Sequence, residues 1–123
     1  MIFACFTIAT NNIGQIAMVT RTDGTVGLPG GKVDPNENPF DCVNREATEE
    51  GWMLDINPNP FFSAKVNNKK CLWFRGKIKG MYLDYKEKNR IIPFYADIGT
   101  LAMSGMRNNA ALNAFYNNLT INI

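Results

Sequence analysis

The chain contains no histidine and only three cysteines. A serine or cysteine nucleophile activated by an imidazole is therefore excluded, and so is a Cys/His zinc site. Cys5, Cys42 and Cys71 are odd in number and far apart, which supports no disulfide framework and fits a reducing cytoplasm. No run of about 18 apolar residues occurs, so no membrane span is expected. The apolar opening MIFACFTIA lacks a basic leader and is broken by Asn11 and Asn12, so it does not read as an export signal. Neither a repeat nor a linker divides the 123 residues, and their length suits one compact domain, 1–123.

Glutamate is scarce as well, with five residues in all, yet four of them (Glu37, Glu46, Glu49 and Glu50) fall within one short stretch. Nine of the 13 Lys and Arg lie between Lys65 and Arg90. The net charge of +2 is too small to mark a dedicated nucleic-acid binder, but its uneven distribution leaves one region suited to cations and another to anions. Two solvated faces would produce the same pattern.

Ile2 to Ala9 and Ile13 to Thr20 are β-branched and aromatic runs separated by Asn11 and Asn12, and they read as a hairpin of buried strands. Arg21 to Gly24 is a turn, and VGLPGGKV is too rich in Gly and Pro for more than a short strand or bulged loop. A helix is expected from about Pro39 to Glu50. Asn38 can cap it, Pro39 suits the first helical position, Phe40, Val43 and Ala47 form its buried face, and Gly51 can end it. Trp52 then returns to the core. Further strands are expected at Met53 to Ile56, Phe61 to Val66 and Cys71 to Ile78, interrupted by Asn57-Pro58-Asn59-Pro60 and by Asn67-Asn68-Lys69-Lys70. Ile91 to Ile98 reads as a short strand with Pro93 at an edge, LDYKEKNR as a polar loop, and Asn108 to Asn118 as a second amphipathic helix.

On a helix Glu46 and Glu50 lie one turn apart on the same side, with Glu49 one step around, so three carboxylates converge on one small volume. Two unit charges about 4 Å apart repel by roughly 4 kcal/mol at an effective dielectric near 20. The last helical turn adds about 0.3–1 kcal/mol per carboxylate through the macrodipole. Arg45 can compensate one carboxylate, but not all. Carboxylates with a loop carbonyl are hard ligands suited to Mg²⁺ or Mn²⁺, and Mg²⁺ keeps room for substrate phosphates. A bare ExxEE pattern also occurs on ordinary solvated helices, so the surrounding residues decide between the two readings.

Those surroundings are Gly31, five residues, Glu37, seven residues, then Arg45-Glu46-Ala47-Thr48-Glu49-Glu50. This resembles the Nudix box, G-x5-E-x7-R-E-U-x-E-E-x-G-U with U aliphatic, and Leu28-Pro29-Gly30 and Lys32-Val33 resemble its usual flanks. One departure stands out: Gly51 follows Glu50 directly, and Trp52 occupies the position where the box has its final glycine. Competing motifs fail. GLPGGKV lacks the spacing and hydroxyl residue of a P-loop, and Asp34, Asn36 and Asn38 start like a calcium loop that lacks its glycine and closing Glu.

The resemblance implies an α/β fold, an α/β/α sandwich around a mixed, partly antiparallel sheet, and hydrolysis of a nucleoside diphosphate linked to another group. It implies Gly31 (through its carbonyl), Glu46, Glu49 and Glu50 as metal ligands for Mg²⁺ or Mn²⁺. Glu46 or Glu49 would be the base, Arg45 would orient the glutamates and Glu37 would brace the loop. Candidates for substrate contact are Lys32, Glu87, and, on one face of the Cys71 to Ile78 strand, Trp73 and Arg75. Trp73 either stacks on a base or is buried among solvated basic neighbours. The expected substrate is a small nucleotide, foremost a nucleoside or deoxynucleoside triphosphate cleaved to release pyrophosphate. ADP-ribose, a dinucleoside polyphosphate or capped RNA is the alternative, with nucleic acid a partner only through RNA 5′ ends, and a non-catalytic nucleotide sensor is the reading from another class.

Overall fold

A computed structural model describes residues 1–97 and 110–116. Its strands are β1 (Ala4–Thr10), β2 (Ile16–Arg21), β3 (Val26–Gly27), β4 (Gly30–Lys32), β5 (Trp52–Val66), β6 (Lys69–Met81) and β7 (Ile91–Ala96). Helix α1 spans Pro39–Glu49 and a second helical segment, α2, covers 110–116. The seven strands form one sheet with the path β3-β2-β1-β6-β5, from which β4 pairs with β1 and β7 with β2. Only β1 and β6 run parallel, from Ala4 opposite Cys71 to Thr10 opposite Lys77; every other pair is antiparallel. The sheet is therefore mixed, as expected.

Side chains from the two faces of β1 divide the core. Cys5 joins Cys42, Val43, Ile56 and Phe74 beneath α1, and Ala9 joins Ala17, Val19, Ala47 and Trp52. Phe6 and Ile8 join Ile16, Met18, Leu28 and Trp73 on the other face, against Ala111, Leu112 and Phe115 of α2. The sheet thus lies between two helices, an α/β/α arrangement. Each large aliphatic side chain so buried stabilises the fold by about 1.5–3 kcal/mol relative to exposure.

The helix start matches the sequence. Asn38 Oδ1 accepts the Asp41 amide at 2.9 Å and Pro39 opens the first turn. At the other end Glu50 is the C-cap and Gly51 takes φ +98°. A left-handed residue is therefore supplied one position earlier than the box pattern has its glycine, and Trp52, fully buried with its Nε1 donating to the Met18 carbonyl at 3.0 Å, anchors the exit. The shifted ending is accommodated without altering α1.

Two strand boundaries differ from the expectation. Met53 to Ile56 and Phe61 to Val66 belong to one strand, β5, because Asn57-Pro58-Asn59-Pro60 is absorbed as a register irregularity between Ile56 and Pro60. β5 ends the path of the sheet, so prolines that lack an N–H leave no interior ladder bond unmade. Similarly, Lys69 and Lys70 are in β6, and the turn before it shrinks to Asn67 and Asn68, with φ +51° and +65°. β7 ends at Ala96, and Pro93 lies on a strand that, among the described residues, pairs with β2 alone. The ends of the expected helix from Asn108 to Asn118, together with Ile98, lie outside the described residues.

Candidate active site

The site is assembled where β4 runs past the second half of α1. Arg45 lies at its centre. Its Nε and Nη2 donate to the two carboxylate oxygens of Glu37 at 2.7 and 3.0 Å, a bidentate clasp. Its Nη1 donates to Glu46 Oε1 and Glu49 Oε1, both at 3.0 Å, and Nη2 also reaches the Lys32 carbonyl at 3.2 Å. Asp34 adds an ion pair at 3.4 Å, and its amide donates to Glu37 Oε1 at 3.0 Å. One guanidinium therefore ties the loop after β4 to two glutamates of the helix. Its hydrogen bond, before any other cause, holds Glu37 well below the usual carboxylate range, at about 2, and raises Arg45 in turn.

Glu46 sits directly on the backbone of β4. A Cβ at Gly31 would lie 2.5 Å from the Glu46 carboxyl carbon, so glycine is what permits this approach. Glu46 is partly sheltered, and burial raises its pKa despite the opposing hydrogen bond from Arg45. Glu50 is the extreme case. Its side chain is 3% exposed, it accepts the Gly30 amide at 2.9 Å through Oε1, and burial pushes its pKa up to about 8. Among the described residues no ion pair compensates it. Glu49 faces two cations, Arg45 and the Lys86 ammonium, the latter at 3.3 Å.

The expectation that all three glutamates converge on one small volume needs correction. Among the described residues no three acidic, cysteine or histidine side chains form a closed metal cage. Glu46 and Glu49 are drawn to the Arg45 guanidinium while Glu50 turns to the Gly30 amide, since each carboxylate settles on the nearest donor. The donor chemistry nevertheless fits a hard dication: the Glu46 carboxyl rests on Gly31, Glu50 accepts from the neighbouring Gly30 amide, and the buried Glu50 has no ion-pair partner among the described residues. Gly31, Glu46, Glu49 and Glu50 would hold Mg²⁺ or Mn²⁺.

Of the substrate-contact candidates, Glu87 comes nearest. Its amide donates to the Glu49 carbonyl at 2.9 Å, its charge acts on Glu50, and its carboxylate accepts from Arg90 at 2.7 Å. The Lys32 ammonium points instead toward the Phe3 ring, 5.6 Å from its centroid. Trp73 is fully buried between Phe6 and Phe62, so it cannot stack on a base. Arg75 shares the α2 face of the sheet with Trp73 and lies over the rings of Phe61 and Phe115 at 5.0 and 5.4 Å, away from the face that carries the glutamates. Three contributors were not legible as such: Gly30, Asp34 and Lys86. Asp34 offered only the first position of an incomplete calcium loop, and Lys86 lies in a polar loop whose fold-back onto α1 has no local signal.

Comparison with known proteins decides the family. Residues 3–79 match the model of the NUDIX domain. The chain belongs to the Nudix hydrolase family. A U8 snoRNA-decapping enzyme of Homalodisca vitripennis is 34% identical over 71 residues, 52% of this chain and 37% of that protein, so this chain spans little more than a third of that relative's length. The Ap4A hydrolase of C. elegans superposes with a TM-score of 0.74 at 13% identity over 98% of this chain and 99% of that one. A MutT structure from work on Aliivibrio salmonicida and Vibrio cholerae superposes at 0.66 with 20% identity, over 91% and 94% of the two chains. Both solved structures share the Nudix fold with this chain. No helix among its described residues is long and apolar enough to cross a membrane.

Proposed function

We propose that this Nudix protein hydrolyses a phosphoanhydride of a nucleoside diphosphate linked to another group, with a nucleoside or deoxynucleoside triphosphate as substrate and pyrophosphate as product. The observation that carries the reading is the Glu46 carboxyl resting on Gly31 beside a buried Glu50 that no ion pair compensates among the described residues. A bound Mg²⁺, or Mn²⁺ in its place, supplies charge neutralisation on the phosphates and an acidified water. The residues of the chain do the rest. Glu46 or Glu49 accepts the proton of the attacking water, and both stand within hydrogen-bond reach of Arg45. Arg45 fixes their rotamers, and the Glu37 clasp fixes Arg45, so the acceptor is positioned before substrate arrives. Glu49 is also steadied by Lys86. Cys5 and Cys42 are buried and form no disulfide, which supports a reducing, cytoplasmic setting.

A Mg²⁺-dependent release assay across nucleoside triphosphates, ADP-ribose and dinucleoside polyphosphates, with product masses, tests the substrate. Pyrophosphate and a nucleoside monophosphate from a triphosphate are expected. Tight ADP-ribose binding without turnover on any substrate would overturn the enzymatic reading in favour of a sensor. Glu50→Gln is expected to fold and to lose nearly all turnover; full activity in that variant would refute its assignment.

A further inference from the structure

The loop after β6 folds back onto the end of α1 and brings an exposed cation to the acidic site. The Tyr82 amide donates to the Gly51 carbonyl at 2.9 Å, the Glu87 amide to the Glu49 carbonyl at 2.9 Å, and the Tyr85 hydroxyl to the Ile91 carbonyl at 2.8 Å. The backbone on both sides of Lys86 is thereby pinned, and its long, flexible side chain is the part that can move. Lys86 Nζ donates to Glu49 Oε2 at 3.3 Å, while Arg45 Nη1 donates to the other oxygen, Oε1, at 3.0 Å. Both carboxylate oxygens of a proposed metal ligand are therefore already taken by cations.

A dication can take Glu49 only as one of these two cations withdraws, because like charges crowded on one carboxylate repel. Arg45 is bound in addition by Glu37, Glu46 and the Lys32 carbonyl, and its side chain is 29% exposed. Among the described residues Lys86 pairs with Glu49 alone, and its side chain is 70% exposed. An exposed single pair is weak, so Lys86 is the cation released. The neighbouring acids are already engaged, Glu46 by Arg45, Glu87 by Arg90 and Asp84 by Lys88. A phosphate of a nucleotide bound at the site is the anion left within reach, and an ammonium holds phosphate as a point charge. We infer, on the proposed hydrolytic reading of this site, that Lys86 is a transferable counter-ion. It occupies Glu49 in the empty protein and moves to a phosphate of the nucleotide once a dication takes Glu49. Metal and nucleotide then reinforce each other's binding, and the coupling is reciprocal.

The test compares the full wild-type chain with Lys86→Met and Lys86→Arg, checked for equal folding by circular dichroism. Mn²⁺ affinity without nucleotide is read by electron paramagnetic resonance, and affinity for an α,β-methylene nucleoside triphosphate at saturating Mn²⁺ by calorimetry. Loss of a competing surface cation should tighten Mn²⁺ binding by Lys86→Met about threefold. Loss of a charge-assisted phosphate contact should weaken binding of the analogue about tenfold. Lys86→Arg should restore both values toward wild type. A residue that merely steadied Glu49 would weaken both affinities when removed, so that result would overturn the counter-ion role, as would Mn²⁺ or analogue binding left unchanged. If both opposite shifts appear while wild-type protein cleaves no nucleotide, the hydrolytic reading fails and the role of Lys86 stands. If wild-type protein cleaves a triphosphate and neither shift appears, only the role of Lys86 fails.

Discussion

Two adjacent glycines in β4 are expected to respond to the same substitution in opposite ways. The three heavy atoms nearest to a Cβ at Gly31 would all belong to the carboxyl group of Glu46, its carbon at 2.5 Å and each oxygen at 2.7 Å, and that group is the free end of a flexible side chain. In Gly31→Ala the chain keeps its backbone and Glu46 swings away. The loss is one off-rotamer adjustment, about 0.5–1.5 kcal/mol, with part of a charge-assisted hydrogen bond, and alanine returns about 0.4–1 kcal/mol by restricting the unfolded chain. Stability should change by less than about 2 kcal/mol. At Gly30 the added atom would lie 2.2 Å from the Cys5 carbonyl oxygen and 2.7 Å from the Phe6 Cα, and φ is +149°. Backbone cannot move aside, and overpacking with conformational strain amounts to about 3–5 kcal/mol, a large part of the total stability of a small domain. Urea unfolding with pyrophosphate-release kinetics separates the two. Gly31→Ala should fold and lose about a hundredfold in kcat/KM through the displaced carboxylate, whereas Gly30→Ala should be grossly destabilised. Full activity in Gly31→Ala, or equal destabilisation of both variants, would refute the placement of Glu46.

Other perturbations follow from the same contacts. Glu37 is held at about 2 in the folded protein by Arg45, so its contribution is complete above the ordinary carboxylate pKa and declines as pH falls toward 2. Urea midpoints should therefore favour the wild type over Glu37→Gln at pH 7, with the difference narrowing below about pH 4; a gap that widens on acidification would contradict the clasp. Trp73→Phe should cost about 1–3 kcal/mol of stability through lost core packing while leaving KM unchanged, whereas a raised KM at constant stability would restore Trp73 to the substrate site. Lys86→Ala removes an exposed partner of Glu49 and should shift stability by less than about 0.5 kcal/mol in a thermal melt, since surface pairs are weak.

What was readable in the sequence was local. The cap at Asn38, the proline after it and the spacing of Val43 and Ala47 specify α1 within a few residues, and the acid-rich stretch identifies the face that matters. What depended on the sheet was not readable. Whether Asn57-Pro58-Asn59-Pro60 breaks a strand turns on whether that strand is at an edge, and no residue nearby says so. Trp73 alternates correctly with Arg75, but burial of its ring follows from Phe6 and Phe62 arriving from two neighbouring strands. Likewise the burial of Glu50 follows from β4 lying over it, and the tie between Lys86 and Glu49 from a loop folding back across 37 positions. The departure at Gly51 and Trp52 leaves the end of α1 intact. It proved compatible because only the timing of the left-handed residue changed.

Mn²⁺ binding followed by electron paramagnetic resonance tests, without recourse to turnover, whether the glutamates beside Gly31 hold a divalent cation. Wild-type protein should bind the ion, and Glu50→Gln, folded to the same extent by circular dichroism, should bind it at least about tenfold more weakly. Equal Mn²⁺ affinity in the two proteins would contradict the account.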